Sequence, residues 1–288
     1  MVRHVLSFLL GYLVFALVLF IGLQTSPADL RRALRSSGLL ARTVLVANVA
    51  VPLLTLFVVL LLTLPPRVEA MLLLMAICPG APFLLLRYKS QAALPSVLLI
   101  DVSLWALVTT PMWVAIVNRL FPFHFQTSAL HVLLVLAKTV LLPLALGVLI
   151  RRLLPRLAPP LARVASLYYQ ATLVIAVVLV LIKGGPAVLQ TPPLAIAEIV
   201  LLALASALMG HWAGGPTAEG RSVVANLAAL GNPALAVAIA SRSFPDFRVP
   251  AMLLAYLLLR ALGLVPYRLW SKRHGQPPHP TPVPRPAT

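Results

Sequence analysis

The chain has 288 residues, of which 61% are hydrophobic and 10% are charged, and its mean hydropathy is +1.00. This composition excludes a soluble globular domain, in which about 25% of residues are charged. The formal net charge of +17 does not indicate a nucleic-acid partner, because the basic residues lie in short loops beside apolar stretches, as they do in membrane proteins. We therefore predict an all-α polytopic membrane protein that is embedded in a lipid bilayer.

Nine apolar stretches are long enough to cross a hydrocarbon core of about 30 Å as helices. In chain order these spans cover residues 5–24, 39–63, 68–86, 92–118, 130–153, 162–183, 193–211, 220–241 and 249–270. The first continues to Gln24 without a small-residue cleavage site, so we interpret it as a span and not as a signal peptide. Residues 1–275 are predicted to form a single transmembrane domain, followed by a proline-rich disordered tail at 276–288.

The distribution of basic residues predicts the orientation of the chain. Fifteen of the 23 Lys and Arg residues lie on the side reached after the odd-numbered spans, and six lie on the opposite side. Positive charge is retained on the cytoplasmic side of a membrane. We expect the N-terminus outside and the C-terminus in the cytoplasm, in a bacterial inner (plasma) membrane.

Two of the spans are interrupted by Gly and Pro at about the same depth. The third contains Cys78, Pro79 and Gly80, followed by Ala81 and Pro82, and the eighth contains Gly231, Asn232 and Pro233. Such breaks leave backbone groups unpaired, which hydrocarbon tolerates only where those groups line a cavity or meet a ligand. Two breaks in corresponding halves of a chain predict a transport site near the bilayer midplane.

The order of plain, broken and long spans repeats along the chain. Residues 5–121 form the first predicted repeat and residues 162–271 the second, with an extra helix at 130–153 between them. Because five spans separate the two starts, the copies enter the membrane from opposite sides, which predicts an inverted repeat. We expect spans two, three, four, seven, eight and nine to form a core bundle, and spans one, five and six to form a panel beside it.

The residues around the breaks resemble those of a known family. The stretches ICPGAPFLLLRYKSQAALPSVLLIDVS and NLAALGNPALAVAIA are similar to the CPGG-x-x-SN and E-x-G-x-QN segments of the bile acid:sodium symporter family, in the bile acid, arsenite and riboflavin transporter superfamily. In that family both segments lie on unwound helices that cross near the membrane centre. The resemblance implies a secondary carrier that works by alternating access on a small or amphipathic organic anion.

The chain departs from the family pattern at the positions that would bind sodium. The changed positions are Ala81, Leu84, Leu85, Leu227 and Gly231, whereas the Asn of the second segment is kept as Asn232. Sodium is a hard cation that prefers oxygen ligands, so these changes remove most of a side-chain cage and put sodium coupling in doubt. Two routes to it stay open: a shift of one residue places Asn226 at the Glu position, and backbone carbonyls at the breaks can bind a cation.

Asp101 is an acidic residue about nine residues into the fourth span. A charged carboxylate at that depth costs at least about 2.5 to 3.5 kcal/mol unless it is paired or hydrated, so a functional role is the first hypothesis. Arg260 in the ninth span is its basic counterpart by the repeat, and Lys138 is the other intramembrane base. Three interpretations stay open: a fixed Asp101–Arg260 ion pair, proton coupling through Asp101, and neutralisation of an anionic substrate by Arg260 or Lys138. We place Ser96 with Asp101 and Asn226 among the candidate ion-coupling residues.

The candidate substrate-binding residues are Asn232, Pro82, Arg260 and Asn48. Half-helices that begin after Pro82 and Pro233 would point the positive ends of their dipoles at the midplane, where an anionic group could bind. Asn232 could equally cap the half-helix that starts at Pro233. Asn48 could supply a further amide, although hydrogen bonding between helices also explains an Asn in a span.

We find no enzyme motif in the sequence, such as HExxH, GxSxG, a phosphate-binding loop or CxxC, and we expect no enzymatic activity, cofactor or bound metal, with Na+ or H+ as the coupling ion. Two other functions are considered. A metalloid or oxyanion exporter of the same superfamily would use the Cys78 thiol, and a non-transporting ligand-binding receptor would have lost the ion sites. The sequence does not predict the oligomeric state.

Overall fold

The computed structural model describes residues 2–26, 28, 31, 35, 37–62, 64–82, 93–244 and 248–274. Three parts of the predictions lie outside these residues: the proline-rich tail, the end of the third span after Pro82, and the positions of Leu84 and Leu85. Helices are joined by turns, and no strand occurs in the ranges given. The all-α polytopic fold predicted from composition is thus confirmed.

The helices follow the predicted spans closely. They are α1 (Val2–Gln24), α2 (Ser37–Val44), α3 (Val51–Leu61), α4 (Pro66–Ile77), α5 (Ala93–Leu120), α6 (Ala129–Leu136), α7 (Leu142–Leu153), α8 (Ala158–Leu189), α9 (Pro193–Ala213), α10 (Ala218–Ala229), α11 (Pro233–Ser243), α12 (Arg248–Gly263) and α13 (Val265–His274). Within the described residues, seven helical stretches are long and apolar enough to cross a membrane. Helix α1 adds a further 23 residues.

The second and fifth spans each contain one turn of π-helix. The first π segment (Leu45–Ala50) joins α2 to α3, and the second (Ala137–Leu141) joins α6 to α7. Pro52 and Pro143 lie at the start of the helices that follow. A proline lacks an N–H and its ring crowds a carbonyl of the preceding turn, so a wider turn accommodates it without breaking the helix. Both spans therefore stay continuous across the proline.

Helix α1 packs between α7 and α8. A Cβ atom on Gly147 would lie 2.7 Å from the backbone of Gly22, so α1 and α7 are in contact through their main chains. Small residues allow this close approach in membrane helices, where packing contributes much of the association energy. Spans one, five and six thus pack together as one layer.

The second layer is built around α9, which packs against α10, α12, α2 and the first π segment. Gly210 makes another main-chain contact, because a Cβ there would lie 2.6 Å from the carbonyl oxygen of Val224. The two layers meet where α8 packs against α12 and where α1 packs against α11. The broken spans lie inside this assembly, and α11 contacts α4.

Candidate functional site

The first break follows directly from the residues Cys78, Pro79 and Gly80. Cys78 precedes a proline, which disfavours the helical conformation, and it has φ −105° and ψ 76°. Gly80 has φ +89°, a left-handed conformation that side chains with a Cβ rarely adopt. The hydroxyl of Thr110 on α5 donates a hydrogen bond of 2.8 Å to the Ile77 carbonyl. Helix α4 therefore ends in mid-span with a carbonyl of its last turn satisfied by a neighbouring helix.

The second break separates α10 from α11 and is capped by Asn232. The Asn232 Oδ1 atom accepts hydrogen bonds of 3.1 Å from the N–H groups of Ala234 and Leu235. Pro233 occupies the first turn of α11, where its missing N–H costs nothing. The capping role predicted for Asn232 is what the structure shows. Its Nδ2 atom is buried and has no hydrogen-bond partner among the described residues, so both N–H donors of the amide are unused.

The two breaks contact each other through their main chains. The Asn232 N–H donates a hydrogen bond of 2.7 Å to the carbonyl oxygen of Cys78. A Cβ atom on Gly231 would lie 2.5 Å from the carbonyl oxygen of Met75, so only Gly fits at this contact. Residues 77–82 and 231–234 are all buried. Each break thus satisfies part of the backbone that the other leaves unpaired, which hydrocarbon requires.

Helix α5 presents a stripe of hydroxyl groups to the first break. Ser96, Ser103 and Thr110 recur every seven residues and therefore share one face of the helix. The Oγ atoms of Ser96 and Ser103 are buried without hydrogen-bond partners among the residues that the structure describes, and Ser103 Oγ lies 3.2 Å from the position of a Cβ on Gly80. Ser96 is therefore on the side of α5 that faces the crossing.

Asp101 lies on a different side of α5 from Ser96. Five residues separate them, which corresponds to about 140° around the helix axis. The Asp101 side chain is partly buried, and its Oδ2 atom has no hydrogen-bond partner in the described ranges. Asp101 and Ser96 were both predicted as ion-coupling residues, but the helical period directs their side chains away from each other.

The fixed ion pair considered for Asp101 and Arg260 does not form. Arg260 is 1% exposed, and its Nε and Nη1 atoms have no hydrogen-bond partner in the described part of the chain. Helix α4 packs against both α5 and α12, so the two residues lie on helices that flank the first broken span. That expectation is corrected: each charged group is unpaired with the other in this structure.

Glu198 is a second buried acidic side chain, on α9. It is 4% exposed, and both of its carboxylate oxygens lack hydrogen-bond partners in the described residues. Helix α9 packs against α12, which carries Arg260. Because the sequence interpretation concentrated on Asp101, it did not single out Glu198, although its place at the sixth position of α9 was a visible signal.

Asn226 on α10 is already engaged by another side chain. Its Oδ1 atom accepts a hydrogen bond of 2.9 Å from Nε of Arg268 on α13, and its Nδ2 atom donates to the Ser222 carbonyl at 2.8 Å. A carbonyl oxygen that accepts from a guanidinium faces a positive charge, which opposes binding of a metal cation at the same place. In this conformation Asn226 is not a free ion ligand. No sequence signal pointed to Arg268, which lies 42 residues away.

Asn48 connects the first π segment to α5. Its Nδ2 atom donates hydrogen bonds to the Val102 carbonyl at 3.2 Å and to Thr109 Oγ1 at 3.0 Å. The main-chain carbonyl oxygen of Asn48 accepts a hydrogen bond of 2.8 Å from Nε1 of Trp113. The Oδ1 atom of Asn48 is buried and no described residue donates a hydrogen bond to it. Asn48 thus makes the hydrogen bonds between helices that the sequence analysis considered for it, and its Oδ1 atom is an unused acceptor. Lys138, the other basic residue within a span, is exposed.

The described residues contain no group of three or more His, Cys, Asp or Glu side chains that could hold a metal ion. Comparison with known proteins identifies a family. Residues 11–190, more than half of the chain, match the model of the family described as the Sodium Bile acid symporter family. This region includes the first break and ends before the second. No curated protein matches the chain.

Proposed function

Because the chain belongs to the sodium bile acid symporter family, we propose that it is a secondary active transporter of a small or amphipathic organic anion. The anion would be a bile-acid-like molecule or another carboxylate, carried by alternating access around the crossing of the two breaks. The observation that carries this proposal is the 2.7 Å hydrogen bond between Asn232 and Cys78. It joins the two interrupted spans, and paired breaks of this kind form the substrate site in other transporters.

Three groups could bind an anionic substrate: a buried cation, a side-chain N–H donor and the N-terminus of a helix. Within the described part of the chain, Arg260 is buried without a counter-charge and the Nδ2 atom of Asn232 has no acceptor, and α11 begins at the crossing with the positive end of its dipole. A buried cation without a partner is costly, and an anionic group on a substrate would offset that cost. Pro82, at the end of the first break, would border the same site.

The coupling ion is proposed to be a proton taken up by Asp101. An unpaired, partly buried carboxyl group can change its protonation as the surrounding water changes during a transport cycle. The hydrogen bond from Arg268 to Asn226 argues against a sodium site at that amide, whereas Ser96 keeps a free hydroxyl. Sodium bound by backbone carbonyls at the breaks is the other option for the driving ion.

The Cys78 thiol gives little support to the alternative of a metalloid exporter. Cys78 is 0% exposed, so a thiophilic substrate could reach its sulfur only after a rearrangement of the crossing. The non-transporting receptor stays as the second candidate, since it would use the same anion-binding groups. It differs in predicting ligand binding without counterflow in proteoliposomes.

The test is a thermal-shift titration of the purified protein with a panel of bile acids and small carboxylates. Each ligand is added in sodium or choline buffer at several pH values. A ligand that binds only the folded protein stabilises it by about 2.7 kcal/mol at a hundredfold excess over its Kd. Asp101→Asn is the matched variant, because it keeps the shape of the side chain and removes its charge.

Each outcome separates the hypotheses. Ligand stabilisation that follows pH, ignores sodium and vanishes in Asp101→Asn would support a proton-coupled carrier. Stabilisation that requires sodium would show that sodium symport is retained and that the proton proposal is wrong. No stabilisation by any bile acid or carboxylate, with no uptake in proteoliposomes, would overturn the organic-anion proposal.

A further inference from the structure

A cavity of about 430 Å³ opens between α1, α7 and α8, away from the crossing of the breaks. It lies where α1 and α7 end and α8 begins, at the face of the protein that carries most of the basic residues. Its volume is within the range of small-molecule sites, about 300 to 1,000 Å³. The walls are mostly apolar and include Phe20, Leu23 and Leu167.

Two arginines, Arg151 and Arg163, line this cavity. Arg151 is held in place because its Nη1 atom donates a hydrogen bond of 3.0 Å to the carbonyl of Leu23, in the last turn of α1. None of the lining residues is acidic. The nearest acidic residue along the chain, Asp29, lies outside the described residues. The polar end of the cavity therefore carries two positive charges with no acidic neighbour in its lining.

The cavity is next to an exposed apolar surface of α8. Leu161 and Leu167 on α8 are 41% and 65% exposed, and Val164 between them is 65% exposed. In a membrane-spanning helix such apolar side chains contact acyl chains. An occupant that enters from this side would thus have an apolar tail beside α8 and an anionic head between the arginines.

We propose that this cavity binds an anionic phospholipid, with its phosphate between Arg151 and Arg163 and an acyl chain along Leu167. Basic pockets between membrane helices attract anionic head groups, and each arginine near the surface contributes the equivalent of about a fivefold change in affinity. A free phosphate would meet the same charges but gain nothing from the apolar walls. The chemistry of the lining therefore favours the lipid over the free anion. Because the site is built from α1, α7 and α8 alone, it does not depend on what the protein transports.

The experiment measures binding of dioleoyl phosphatidylglycerol to the full chain in neutral detergent, by native mass spectrometry and by the thermal unfolding midpoint. Dioleoyl phosphatidylcholine is the neutral lipid control, and inorganic phosphate and glycerol 3-phosphate are the free-anion arms. Arg163→Gln is the main variant, because Arg163 is exposed and its removal should leave the fold intact. Arg156→Gln is the matched control: it removes the same charge from an exposed residue of the same face that does not line the cavity.

We expect phosphatidylglycerol to bind and stabilise the protein more than phosphatidylcholine does. Arg163→Gln should weaken that binding about fivefold and the Arg151→Gln/Arg163→Gln double variant about 25-fold, whereas Arg156→Gln should change it by less than about twofold. Equal losses in Arg163→Gln and Arg156→Gln would overturn the proposal in favour of diffuse surface charge. Equal binding of inorganic phosphate and phosphatidylglycerol would overturn it in favour of a free-anion site.

Discussion

At the scale of single residues, the main anomaly is buried charge without a partner. Glu198 and Arg260 are 4% and 1% exposed, and neither has an ionic partner among the described residues. An ionised group in that position pays its full desolvation cost. In membrane proteins an ionisable residue inside a span is by default a candidate for a functional site, such as a pathway of ions, protons or charged substrates.

Replacing Glu198 by Gln should leave the thermal unfolding midpoint unchanged or raise it. The amide has nearly the same shape as the carboxyl group, and it removes an ionisable group whose oxygens accept no hydrogen bond. Glu219→Gln is the control, because Glu219 lies in the first turn of α10, where its charge stabilises the helix by about 0.3 to 1 kcal/mol. Differential scanning fluorimetry in detergent measures both variants. A marked fall in the midpoint for Glu198→Gln would mean that the carboxylate is paired with a cation.

At the scale of helices and turns, the breaks and the π segments determine how the spans meet. The contact between Gly231 and the Met75 carbonyl brings the second break against the first. The first π segment places Asn48 where its amide reaches α5. Both features arise at prolines and glycines that are visible in the sequence. Both also need contacts with residues from distant parts of the chain.

Gly231→Ala should destabilise the protein by about 1 to 3 kcal/mol, the usual cost of inserting a methyl group into a packed core. The added Cβ would lie 2.5 Å from a main-chain oxygen, which cannot turn away as a side chain could. Gly185→Ala is the control, because no atom lies within 4 Å of its Cβ position. In the interior of α8 that change should be neutral or stabilise by about 0.5 to 1 kcal/mol. Equal unfolding midpoints for the two variants would show that the crossing is not tightly packed.

Trp113→Phe should cost about 1 to 3 kcal/mol, because it removes the donor to the Asn48 carbonyl and leaves that oxygen buried without its side-chain partner. Trp113 is 5% exposed, whereas Trp105 on the same helix is 53% exposed. Trp105→Phe should therefore change stability by less than about 0.5 kcal/mol. Unfolding of both variants in the same detergent provides the comparison. The interpretation fails if Trp105→Phe is the more damaging change.

The positions of the helices were predicted from the sequence more accurately than the side-chain contacts between them. Every predicted span overlaps a helix of the described residues, because the thickness of the bilayer fixes the length of an apolar helix. Pro52 was visible in its span, but the π turn that accommodates it depends on local backbone geometry. The Arg268–Asn226 hydrogen bond and the separate faces of Asp101 and Ser96 required the fold. Side-chain pairing between distant segments has no periodic signature in one sequence.

At the scale of the whole molecule, two layers of helices meet along α8–α12 and α1–α11. One layer consists of α1 with α7 and α8, and the other contains both breaks. Alternating access in transporters is largely the movement of one such body against another around a fixed site. In the transporter proposed above, the layer of α1, α7 and α8 would be one of these bodies and the layer that contains the breaks would be the other.

The excess of basic residues on one side predicts that α13 ends in the cytoplasm. A fluorescent protein fused after His274 should then fluoresce in bacterial cells, whereas alkaline phosphatase fused at the same place should be inactive. Fusions in the turn after Leu61, on the opposite side, should give the reverse pattern. Phosphatase activity of the fusion after His274 would show that the predicted orientation is wrong and that this chain does not follow the positive-inside rule.

The hydrogen bond between Arg268 and Asn226 bears on the electrical balance of the transport cycle. The guanidinium of Arg268 is covalently part of the protein, so over a complete cycle it transfers no net charge across the membrane. If no other cation accompanies a monovalent substrate anion, each cycle moves one negative charge. A membrane potential of 100 mV, negative inside, would then oppose uptake by about 2.3 kcal/mol, roughly a fiftyfold concentration ratio. A proton carried on Asp101 with each anion, as proposed above, would make the cycle electroneutral and remove this opposition to uptake.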